Sequence, residues 1–130
     1  MFVVALAALS LHVMPVVGSE EAVKALPLMK QARLMWERKP DTFLMTKYFP
    51  KAAKAAGVDK AKVELACTSN QFGSLDCTAV SESVEGLGFG EAAVKVIEHG
   101  KVAATDRKSP EGRSFRFTVK FGTWAKGEDA

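Results

Sequence analysis

The sequence predicts a small α+β domain. It reads as a two-layer sandwich, with a three-stranded antiparallel sheet carrying helices on one face in the order helix-strand-strand-helix-strand. Three observations predict this. Hydrophobic alternation of period two runs on either side of the turn-like NQFGS, through KVELAC and LDCTA. Phe89, Ala92, Ala93, Val96 and Ile97 form an apolar stripe at helical spacing. Alternation then returns in SFRFTVKF. A length of 130 residues, 48% hydrophobic and 25% charged, suits one globular domain with short extensions.

Taken in order, residues 1–18 (MFVVALAALSLHVMPVVG) are apolar apart from Ser10 and His12, and the first charges follow in SEEAVK. The segment reads as a secretory signal with a small-residue exit and cleavage before Ser19. A short membrane anchor is the rival reading, although spanning takes about 20 apolar residues and this run carries His12 and Pro15. No Lys or Arg precedes the run, which points to an atypical signal or a start further upstream. Residues 19–38 are helix-friendly with an acidic start, but Pro27 interrupts them, so they read as a linker or helical lead-in.

The domain proper is expected over residues 39–122. Asp41 can cap a helix carrying Phe43, Leu44 and Tyr48. Pro50 ends that helix and opens KAAKAA, which Gly57 can terminate. Val63, Leu65 and Cys67 then share one strand face, and Leu75, Cys77 and Ala79 share the next. A turn centred on Phe72 places Cys67 opposite Cys77, Leu65 opposite Ala79 and Val63 opposite Ser81. The striped helix carries a Glu91–Lys95 pair on its other face and stops at Gly100. KVAATDRKSPEGR reads as a loop. In the last strand Phe115, Phe117, Val119 and Phe121 alternate with Arg116, Thr118 and Lys120, giving one apolar and one cationic face. Residues 123–130 read as a frayed tail.

The chemistry legible in these residues is sparse. The net charge of +3, from 18 basic and 15 acidic residues without a polybasic run, argues against a nucleic-acid partner. Cys67 and Cys77 do not match a zinc spacing, and His99 is the only histidine after the apolar segment, so no metal is expected. GLGFGEAA has GxGxG rather than GxGxxG spacing and feeds no parallel crossover, so no cofactor is expected. A nucleophile would need Cys67 or Cys77 beside His99, and that small exported thiol enzyme stands as one alternative. A disulfide is the favoured reading. Opposed residues of an antiparallel pair lie about 4.5–5.5 Å apart, which a disulfide tolerates. Export supplies the oxidising compartment, and closing this loop stabilises by about 3 kcal/mol on the chain-entropy model.

The ordered set Pro40, Tyr48-Phe49-Pro50, Ala53, Gly57-Val58, Cys67, Gly73-x-Leu75, Cys77, Ser81-Glu82 and Gly88-Phe89-Gly90-x-Ala92-Ala93, closed by FRFTVKF, resembles the TonB C-terminal-like domain in forms with paired cysteines. The likeness covers residues 36–121. It implies a periplasmic, non-enzymatic module linked to TonB-dependent outer-membrane transport. It also implies that the last strand, at a sheet edge, binds an extended receptor segment by β-augmentation. Carried onto this chain, the partner-binding residues are Ser114, Arg116, Thr118 and Lys120, with Arg116 and Lys120 equally suited to guarding an edge against aggregation. The expected partner is a protein, either an outer-membrane receptor segment or another periplasmic protein, and a second copy of the chain is allowed. Membrane contact is expected only if residues 1–18 are retained, as in a membrane-anchored energy transducer. Such a transducer has a spaced Ser and His in its anchor and a long Pro-rich arm, and this chain departs from it in both respects.

Overall fold

The computed structural model describes residues 24–124. The elements are β1 (Leu34–Arg38), α1 (Phe43–Lys47), α2 (Lys51–Ala55), β2 (Ala61–Ser69), β3 (Leu75–Glu82), α3 (Phe89–Ile97), β4 (Lys101–Ala104) and β5 (Ser114–Phe121). Strands β2, β3 and β5 form the expected three-stranded antiparallel sheet, in the order β3-β2-β5. Alternation builds it. Ala61, Val63, Leu65, Cys67 and Ser69 of β2 are buried toward the helices, and the residues between them face the other way. Phe115, Val119 and Phe121 of β5 are buried on the same side.

Helix α3 lies across β3 and β2 and buries its whole apolar stripe. Gly90 permits that approach, since a Cβ there would stand 3.0 Å from Glu82 Oε2 and 3.1 Å from the Ala79 methyl. Phe49, Phe89 and Phe121 form an aromatic cluster with centroids 5.4–6.1 Å apart, which joins the α1–α2 junction to α3 and β5.

The hairpin holds the expected register from Ser69↔Leu75 to Leu65↔Ala79, and then shifts. Val80 is an extra residue, so Glu64 faces Ser81 and Val63 faces Glu82, where Val63 was expected opposite Ser81. This bulge turns Glu82 toward the helices, and its Oε1 accepts a hydrogen bond from the Gly90 N–H at 2.9 Å. An acidic side chain thus satisfies a free donor in the first turn of α3.

Three further expectations are corrected. The end of the expected helical lead-in is instead strand β1, and the start of the expected loop is strand β4. They pair as Leu34↔Ala104, Met35↔Ala103 and Trp36↔Val102 in a separate two-stranded sheet. Burial overrides propensity here, because Leu34 and Val102 enter the core from that sheet. The hairpin turn is tied to it by the Val102 N–H donating to the Gly73 carbonyl at 2.9 Å. Gly73, at φ +83°, lies so close to the Val102 carbonyl that a Cβ would collide with it. At the other end Trp124 is docked rather than frayed. Its Nε1 donates to the Phe121 carbonyl at 2.9 Å, and the Lys60 and Lys62 ammonium groups each stand 4.8 Å from its ring centre. The expected signal or anchor over residues 1–18, and residues 125–130 of the tail, lie outside the described residues.

Candidate functional site

Cys67 and Cys77 are direct partners in the hairpin register, with Cα atoms 4.1 Å apart, and their sulfurs are bonded. Both are buried, at 2% and 7% exposure. The two sulfurs are used in the bridge, and no free cysteine remains. His99, the other half of the thiol alternative, lies just beyond α3. Its Nε2 is 3.2 Å from the Tyr48 hydroxyl, and the two rings are tilted at a centroid distance of 5.8 Å. Among the described residues no group of three metal-ligating side chains gathers, and no helix is long and apolar enough to cross a membrane.

The second predicted set, Ser114, Arg116, Thr118 and Lys120, lies on one face of β5. Across β2 its members oppose Thr68, Ala66, Glu64 and Lys62. The side chains of Ser114, Arg116 and Thr118 meet neighbours within the sheet. The Ser114 and Thr68 hydroxyls are 2.9 Å apart, and the Thr118 hydroxyl donates to Glu64 Oε2 at 2.8 Å. Arg116 Nη1 stands 3.9 Å from Glu64 Oε1. These side chains brace the open face of the sheet.

The backbone of the same residues points elsewhere. The Arg116 N–H donates outward, away from β2, to the Pro27 carbonyl at 2.9 Å. Antiparallel strands alternate the direction of their backbone groups, so Ser114, Thr118 and Lys120 aim theirs outward as well. The resemblance selected this strand and alternation selected the face, and the backbones of these residues are what the edge presents. The contact from residues 26–28 left no sequence signal, since only their carbonyls take part.

A groove of about 660 Å³ runs beside this edge. Phe117, Thr118, Val119 and Lys120 line it together with Trp36 and Met45. Consecutive β5 residues of both parities border it, so it follows the strand edge rather than one sheet face. Trp36 meets Phe117 edge to face at 5.7 Å. None of the groove outside β5 was read as part of the site, because β1 was expected to be helical.

The start of β5 is held by a charged latch. Arg113 Nη2 donates to Asp106 Oδ1 at 2.9 Å, while Nη1 donates to the Ala32 and Arg33 carbonyls at 3.3 and 3.1 Å. The Arg113 hydrogen bond, joined by the Lys108 N–H, holds the Asp106 carboxyl below its ordinary range. One side chain therefore fixes the β4–β5 loop to the turn that leads into β1.

Comparison with protein-family models, curated proteins and solved structures finds no match to this chain.

Proposed function

We propose that this chain is an exported, non-enzymatic protein-binding module of the TonB C-terminal-like kind. It works in the periplasm and is linked to TonB-dependent outer-membrane transport, and an extended partner segment adds to the outer edge of β5. The observation that carries this reading is the outward Arg116 N–H, which donates to the Pro27 carbonyl of a segment bridged to the edge. An edge whose outward N–H already pairs with a backbone carbonyl from another segment has the geometry for β-augmentation, in which backbone groups supply affinity and side chains tune it. The position of β5 at the end of the order β3-β2-β5 supports the same reading. The buried Cys67–Cys77 bridge is in keeping with an oxidising compartment.

The test is a titration of the chain with extended peptides taken from outer-membrane receptors, followed by amide shifts. Shifts concentrated along Ser114–Phe121 support the proposal. Saturating peptide without any shift along that strand removes it.

A further inference from the structure

The β5 edge has an occupant from its own chain. Residues 26–28 lie against it in the parallel sense, with a bridge between Leu28 and Arg116. The Arg116 N–H donates to the Pro27 carbonyl, and Arg116 Nε donates to the Leu26 carbonyl at 3.1 Å. We propose that residues 26–28 are a built-in competitor for the docking edge. The partner that displaces them is an extended peptide segment, parallel to β5, with an apolar side chain seated between Trp36 and Met45. This rests on the edge-docking reading above.

Several features make the segment a competitor rather than a fourth strand. It contributes one bridge, where β2 contributes eight register partners to the other side of β5. Leu28 stays 46% exposed, so little apolar surface holds it down. Pro27 has no N–H, so the segment cannot extend a regular ladder of its own. A closed turn follows it, with the Ala32 N–H on the Leu28 carbonyl and the Leu34 N–H on the Met29 carbonyl, both at 3.0 Å. Residues 26–28 can therefore leave the edge without pulling β1 out of its pairing.

The groove supplies what the competitor does not use. It is lined by Thr118 and Lys120, beyond the Arg116 bridge, and by the apolar side chains of Trp36 and Met45. An added strand lies about 4.8 Å from β5 and presents alternate side chains to that lining. The orientation follows from the occupant, because the edge already accepts a chain running parallel to β5. A tethered segment on a short linker acts at an effective concentration of about a millimolar, so it screens out weak partners.

The test uses the whole chain and the probe peptide acetyl-Lys-Ala-Leu-Pro-Leu-Met-amide, a free copy of residues 24–29. Binding is compared between the unmodified chain and a variant with Leu26→Gly, Pro27→Gly and Leu28→Gly. The proposal expects the variant to bind at least about tenfold more tightly, with shifts along Ser114–Phe121 and at the Trp36 indole. Equal affinity overturns the competitor and leaves edge docking standing. No binding to a variant whose hairpin and α3 amides are unchanged overturns both. A second measurement needs no variant. Saturating the unmodified chain with probe is expected to move the Leu26 and Leu28 methyl resonances to free-chain positions, and their staying in place overturns displacement. A spin label on the probe's N-terminus is expected to broaden Ser114 more than Phe121. The reverse pattern overturns the parallel orientation.

Discussion

Cys67 and Cys77 look like the most reactive residues in the sequence, yet in the structure they are buried and joined to each other. Their contribution is to stability. Replacing both with Ala is expected to cost about 3 kcal/mol, seen as a lower denaturant midpoint with an intact native fold. A thiol reagent applied to the native, unreduced protein is expected to find no thiol, and stoichiometric labelling would revive the thiol-enzyme alternative. Asp106 contributes in a pH-dependent way. Its folded pKa is lowered from 3.8 by Arg113, so the stability it adds is present above that ordinary value and fades as pH falls through the folded one. Asp106→Asn is expected to lower stability at neutral pH and to flatten the acid limb of the stability curve. An unchanged acid limb would show that the latch carries no linkage.

The bulge at Val80 shows how one extra residue redirects a whole element. It faces Glu82 inward, where Glu82 meets the first turn of α3. Glu82→Ala is expected to cost about 1 kcal/mol and to speed hydrogen exchange at the Gly90 amide, whereas Glu82→Gln keeps an acceptor and restores most protection. Elements with a strong local period were readable in advance: the alternation of β2, β3 and β5 and the stripe of α3 all lie where the pattern puts them. The bulge was not: Val80 follows apolar Ala79 and breaks the alternation, but that break does not say which residue leaves the ladder. Strands β1 and β4 were hidden for a different reason. LMWER has helix-forming composition, and its pairing partner KVAA lies far along the chain, so only tertiary contact makes either one a strand. The candidate site divides in the same way. The resemblance marked the last strand and alternation put Ser114, Arg116, Thr118 and Lys120 on one face of it, but the contact of Arg116 with residues 26–28 uses their backbone carbonyls, which no side-chain pattern encodes.

At the scale of the described residues, both sheets and the helices packed on them share one core, and Phe89, Phe115 and Phe121 are fully buried in it. Phe89→Ala is expected to cost about 3–5 kcal/mol, measured by chemical denaturation, because it empties the centre of the aromatic cluster between α3, β5 and Phe49. The export reading concerns residues 1–18 and is tested on the protein recovered from cells. An N-terminus near Ser19 agrees with cleavage, and retention of the apolar segment favours the membrane-anchored alternative. The fold leaves β5 as the outer strand beside a groove, with its outward amides partly occupied by the chain's own residues 26–28. The most direct measurement is an amide-shift titration of the oxidised protein with an extended receptor-derived peptide. The predicted result is saturable shifts at Ser114–Phe121 and Trp36, with residues 26–28 released. Shifts confined to the β3 edge, or none at saturating peptide, would contradict it.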